Sequence, residues 1–293
     1  MINWPDILDQ VQQNTGLAPD QCHVRSVSGG CINTCFLVGK HASQIFVKTN
    51  RREHLAMFEA EAAGLASISE AQAVLTPEVL CTGYSDRTAF IALQAIKMRG
   101  ASENSYREFG RQLANMHLYQ QPQFGAQTDN TLGSTPQKNP WLDNWFDFWR
   151  QHRLGFQLKL AQKNLAPKAL IDDGLRLNES FEVLFNNPPE ASCLHGDLWQ
   201  GNWGFTESGL AVIFDPAHYF GDREADIAMT TLFGPAHPDF YAAYKETCAF
   251  DEGYEIRETF YNLYHILNHF NLFGGTYARQ AHQMIQNVLS ELA

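Results

Sequence analysis

HGDLWQGN, His195–Asn202, followed by FDP, Phe214–Pro216, decides how the chain is read. An Asp, an Asn five positions on, and a second Asp closing an apolar run suit phosphoryl transfer from a magnesium-bound nucleotide. In that reaction one carboxylate receives the proton of an attacking hydroxyl, while an amide oxygen and a second carboxylate hold Mg²⁺ against the triphosphate. Asp197, Asn202 and Asp215 fit these roles in order. HGD alone is a common turn. A metal-hydrolase site is the competing reading of the whole set, weakened because no His-rich ligand set accompanies it. The flanking runs ASCLHG and LAVIFDP read as strands that would aim all three side chains into one cleft.

Ahead of this motif the sequence changes character. Trp4–Thr15 carries Ile7, Leu8 and Val11 at helical spacing, and Gly16 ends it. Strand-like runs follow in VRSV, CFLVG and QIFVKTN, interrupted by Gly29-Gly30 and Gly39-Lys40, as in an antiparallel hairpin sheet. Arg52–Ser69 returns to helical period, and AFIALQAI, Ala89–Ile96, closes a second strand region. A boundary between lobes is expected at Lys97–Glu103, dividing residues 1–98 from 99–293. Beyond it, helices dominate. A segment from Gln121 to Pro140 reads as a turn-rich loop too polar to be core. The fold class expected is α+β, two-lobed, with a small antiparallel-sheet lobe before a larger, mainly helical one.

Composition narrows the function. At 293 residues the chain exceeds the usual single-domain size. Its net charge of −11 and scattered basic residues argue against nucleic acid or an anionic membrane as partner, and tolerate a cationic substrate. The N-terminus MINWPDILDQ lacks a basic stretch followed by an apolar run. No later segment approaches the about 18–20 apolar residues that span a bilayer, so a soluble, cytoplasmic protein is expected. The six cysteines show no CxxC pairing, which points to reduced thiols rather than a zinc site or disulfide framework.

Further candidates surround the motif. SVSGGCIN, Ser26–Asn33, places Gly29 and Gly30 between strands, where backbone N–H groups can approach phosphate without a Cβ clash; the alternative is a plain hairpin turn. It does not match a Walker-type loop. Cys31 within it is either an inert small hydrophobe or a thiol whose oxidation would block nucleotide binding. Lys48 on a strand and a Glu on the next helix can grip the α- and β-phosphates. Glu61 is favoured over Glu59, which points to another face, because it directly precedes the apolar AAGLASI. Trp199 is either packed or a stacking face for a sugar or cation. Asp226 and Glu224 are helix-start carboxylates, or Asp226 braces the catalytic loop.

HGDLWQGN, FDPAHYFGDREADIAM, LNHFNLFGG at Leu267–Gly275, and FVK with MFEAEAAGL resemble the fructosamine kinase family, a branch of the aminoglycoside phosphotransferase and protein-kinase-like fold. The segment from Gln121 to Leu158 resembles its bacterial members, so the likeness covers almost the whole chain. The resemblance implies an ATP- and Mg²⁺-dependent kinase acting on a sugar hydroxyl of ketoamines, either small molecules or glycated amines. It implies Asp197 as base, Asn202 and Asp215 as Mg²⁺ ligands, and Lys48 and Glu61 at the phosphates. It further implies backbone near Gln94–Ile96 at the adenine, and Trp199 and His269 at the sugar. His195 is expected to support the loop together with Asp226. Ser28 stands where the family often has a third glycine. Two other readings remain: a kinase for another alcohol such as an aminoglycoside or choline, and a nucleotide-binding regulator without catalysis. The complete set of Lys48, Asp197, Asn202 and Asp215 argues against the second.

Overall fold

The computed structural model describes residues 2–27 and 32–292. Its first lobe is a five-stranded antiparallel sheet formed by β1 (Val24–Val27), β2 (Thr34–Val38), β3 (Ile45–Arg51), β4 (Val79–Ser85) and β5 (Thr88–Gln94), in the order β1-β2-β3-β5-β4. Helix α1 (Trp4–Thr15) covers one face and α2 (Leu55–Glu70) the other. Because strand side chains alternate, β5 serves both faces. Phe90 and Ala92 pack with Ile7, Leu8 and Val11 of α1, while Ala89, Ile91 and Leu93 pack with Phe58 and Leu65 of α2. The same alternation sends Ile45 and Val47 of β3 toward α1, so Lys48, one residue on, faces α2.

The chain then runs through β6 (Met98–Arg99) and α3 (Glu103–His117), continues through the short strands β7 (Gln120–Gln121), β8 (Asn130–Leu132) and β9 (Thr135–Gln137), and turns helical. Helix α4 (Trp145–Trp149), a π-helical turn at Arg150–Leu154, α5 (Gly155–Lys163) and α6 (Lys168–Ser180) precede β10 (Ala191–Leu194), β11 (Trp203–Thr206), β12 (Ala211–Ile213) and β13 (Tyr219–Gly221). The chain ends in α7 (Glu224–Leu232), α8 (Pro238–Thr247), α9 (Tyr254–Phe273) and α10 (Tyr277–Glu291). β10 pairs with β13 and β7, and β11 with β12 and β6; the loop joining these two small sheets is HGDLWQGN. An aromatic core of Trp145, Phe148, Trp149, Phe260 and Tyr261 fixes α9 beneath it, with Trp145 Nε1 donating to Tyr261 Oη at 3.1 Å. Among the described residues no helix is long and apolar enough to cross a membrane.

One expectation fails in part. Within Gln121–Pro140 the residues from Asn130 to Gln137 form the β8–β9 hairpin, and the segment buries Leu132, Thr135, Gln137 and Asn139. Its polar side chains are satisfied internally, which removes the usual cost of burying them. Gln137 Nε2 donates to Asn130 Oδ1 at 2.7 Å and to the Ala217 carbonyl at 3.0 Å, and Arg153 Nη2 donates to Asn139 Oδ1 at 2.6 Å.

Helices α3 and α8 approach so closely that Gly110 has no room for a side chain, since a Cβ there would stand 2.2 Å from the Phe240 carbonyl oxygen. Gly110→Ala should therefore push α8 away and cost about 1–3 kcal/mol, an overpacking penalty rather than a helix-propensity gain. A denaturation midpoint equal to or above that of the parent protein would contradict this.

Candidate active site

Three elements meet at Lys48. It is buried on β3, and its Nζ donates to Glu61 Oε1 at 2.7 Å and to Asp215 Oδ1 just past β12. Glu61 stands on the buried stripe of α2 with Phe58, Leu65 and Ile68, whereas Glu59 is exposed. Burial by itself would lower the Lys48 pKa, but the two carboxylates raise it above the ordinary value, so the ammonium stays charged. Burial pushes the Glu61 carboxyl up, against the pull of Lys48. Asp215 adopts φ +63°, a left-handed conformation uncommon for a non-glycine residue, and keeps 43% of its side chain exposed.

The loop before it is held from behind. Asp226, at the start of α7, accepts the backbone N–H groups of His195 at 2.6 Å and Gly196 at 2.8 Å, and lies 3.3 Å from His117 Nε2. Burial opposes ionisation of Asp226, yet these bonds outweigh it and hold the carboxyl below the usual range. His195 is fully buried; its Nε2 donates to the Phe214 carbonyl at 3.0 Å and its Nδ1 accepts the Asp197 N–H at 3.3 Å, which defines one tautomer. Gly196 sits at φ +83°, where an added Cβ would lie 2.1 Å from the Ala217 carbonyl oxygen. Only glycine fits this bend.

Asp197 and Asn202 therefore project from a fixed loop. Asn202 Nδ2 donates to the Asp197 carbonyl at 2.8 Å and to its Oδ2 at 3.3 Å. Burial raises the Asp197 pKa and Asp215 adds to the effect, while the Asn202 bond opposes it; the result is about 7. With 24% of its side chain exposed, Asp197 remains accessible from a cavity of about 490 Å³. Lys48, Glu61, Asn202, Asp215 and Trp199 line that cavity too. Trp199 meets Phe233 edge-on at 6.0 Å, and Phe233 lies 5.0 Å from His269.

Not every candidate converges here. Gln94 and Ile96 lie at and beyond the end of β5 and do not line the cavity, and Gly29, Gly30 and Cys31 fall outside the described residues. Several wall residues escaped the sequence reading: the β8–β9 hairpin, Phe233, and His265. His265 was within reach of a helical argument, because it stands four residues before His269 and so shares its face.

A sheet lobe whose lysine pairs with a helix glutamate, set over a helical lobe bearing an Asp–Asn–Asp loop, is the fold of the protein-kinase-like phosphotransferases. The chain belongs within that class to the fructosamine kinase family, whose model matches residues 3–291. It is 41% identical over 287 residues to the probable ketoamine kinase of Synechocystis sp., covering 98% of this chain and 97% of that one. It is 40% identical over 285 residues to the chloroplastic protein-ribulosamine 3-kinase of Arabidopsis thaliana, covering 94% and 86%. A crystallised candidate fructosamine-3-kinase from Haemophilus somnus superposes with a TM-score of 0.89 at 29% identity, covering 98% and 97%.

Behind the loop, His218 is buried and its Nδ1 donates to the Leu194 carbonyl at 2.7 Å; burial lowers its pKa to about 4. Above the unfolded value of about 6.5 both folded and unfolded states carry a neutral ring, and the stabilisation is complete. Between about 6.5 and 4 the unfolded chain takes up a proton that the folded chain refuses, so His218 withdraws stability as pH falls. An NMR titration of the folded protein should place the His218 midpoint near 4, and an ordinary midpoint would contradict the buried-neutral assignment.

Proposed function

We propose that the protein is an ATP-dependent kinase that phosphorylates a sugar hydroxyl of ketoamines, the products of amine glycation. The observation that carries this reading is the convergence of Lys48–Glu61 with Asp197, Asn202 and Asp215 on one cavity in a member of the fructosamine kinase family. Lys48 would grip the α- and β-phosphates, held in place by Glu61. Asp197, poised near neutrality, would orient the acceptor hydroxyl and take its proton as the γ-phosphorus–oxygen bond forms and ADP leaves. Trp199 and His269 would face the sugar.

Asn202 and Asp215 suit Mg²⁺, a hard cation that takes one or two protein oxygens and completes its shell with phosphate and water. The bonds that Asn202 makes through its side chain use Nδ2, and the Asp215 carboxylate is partly open to the cavity. Bound there, the ion would neutralise charge on the phosphates. The backbone at Gln94–Ile96 would meet the adenine, and Gly29 and Gly30 the phosphates, with the division between lobes at residues 98 and 99. A cytoplasmic setting, where ATP is available, accords with this reading. The net charge of −11 favours a substrate bearing an amine cation.

A panel of ribulosamines, fructosamines, an aminoglycoside and choline, scored by ADP release, tests the assignment. Turnover confined to the ketoamines is expected, and turnover of another alcohol with none of any ketoamine would reject it. Lys48→Met should cut kcat/KM for ATP by about 10²–10³-fold while the protein stays folded, and an unchanged value would remove Lys48 from the phosphate site.

A further inference from the structure

His265 on α9 is buried, with 7% of its side chain exposed, yet it lines the cavity. Among the described residues neither of its ring nitrogens makes a hydrogen bond with the protein. Its Nδ1 lies 4.0 Å from Asp197 Oδ1, beyond hydrogen-bonding reach. Its nitrogens are not sealed in the interior as the unpaired Trp149 Nε1 is; they open on the cavity, where a bound ligand can supply the partner that the protein does not. Two polar neighbours on the same wall differ. Asn130 is committed to the His218 carbonyl and to Gln137, and Asn268 to Gln157 and the Leu132 carbonyl, through hydrogen bonds of 2.7–3.3 Å.

The 4.0 Å separation has a chemical meaning beside a base. Two hydroxyl oxygens on adjacent sugar carbons stand roughly one hydrogen-bond length apart, about 2.8 Å. With one oxygen on Asp197 Oδ1 and its neighbour on His265 Nδ1, two bonds of ordinary length span the gap. Burial, reinforced by His269, keeps His265 neutral, with a pKa near 3. A neutral ring neither pairs with the Asp197 carboxylate nor quenches its basicity, and it retains one donor and one acceptor nitrogen.

We infer that His265 is a specificity-determining residue that hydrogen-bonds, through Nδ1, the hydroxyl next to the one being phosphorylated, so that the site reads a vicinal diol and not a lone alcohol. This rests on the ketoamine kinase reading and refines it. Asp197 holds the acceptor oxygen and takes its proton, and His265 fixes the neighbouring oxygen. Together they set the rotation of the sugar carbon and aim the acceptor lone pair at the γ-phosphorus.

The test compares a ketoamine with its analogue lacking the adjacent hydroxyl, in wild type, His265→Phe and His265→Asn. Wild type should turn over the parent compound and lose about 10- to 100-fold in kcat/KM on the analogue. His265→Phe should lose a similar factor on the parent, chiefly through KM for the ketoamine, and nothing further on the analogue, with KM for ATP unchanged. His265→Asn, whose amide overlays Nδ1, should recover part of the discrimination, and it supplies the reading should the phenylalanine variant not fold. Wild type indifferent to the missing hydroxyl, the phenylalanine variant keeping full wild-type discrimination, or a folded His265→Asn with no more discrimination than a variant lacking the hydrogen bond, overturns the inference while leaving the kinase assignment standing. Absence of wild-type turnover on any ketoamine overturns both.

Discussion

The architecture turns on one buried cation. Lys48 leaves water to sit between β3, α2 and the end of β12, and an ammonium in such a place must be matched by anions. Glu61 supplies one from the same lobe and Asp215 supplies the other from the opposite lobe. Removing Lys48 or Glu61, both buried, leaves charge uncompensated, at a cost of about 3–5 kcal/mol, and the bond from Lys48 to the partly exposed Asp215 ties the two lobes together. The same cation and carboxylates surround the space a nucleotide phosphate would occupy. Under the proposed function, stability and chemistry draw on the same three side chains.

Around this lysine the charges are sorted by burial. Asp226 is kept ionised by donors it cannot lose, and His117, His195 and His218 are kept neutral by burial. These groups are scaffolding. The loop they clamp exposes Asp197, and the strand end behind it exposes Asp215.

Much of this was written in local pattern. Strand alternation places Lys48 on the α2 face once Ile45 and Val47 are recognised as core, and helical stripe geometry separates Glu61 from Glu59. Helix α1 spans Trp4–Thr15, as its apolar spacing predicts. What stayed hidden depends on long-range pairing. His117 reaches Asp226 across 109 positions, and the polar composition of Gln121–Pro140 disguises a buried hairpin whose amides satisfy each other. His265 shares a helix face with His269, a spacing visible in the sequence, but its approach to Asp197 from a segment 68 positions away is set by the fold.

The most direct measurement is single-turnover transfer of label from γ-labelled ATP to a ribulose-lysine derivative, with wild type beside Asp197→Asn. Labelled ketoamine should form with wild type and about 10²–10⁴-fold more slowly with the variant, at unchanged ATP affinity. Equal rates for the two proteins, or no labelled ketoamine from wild type, would contradict the account.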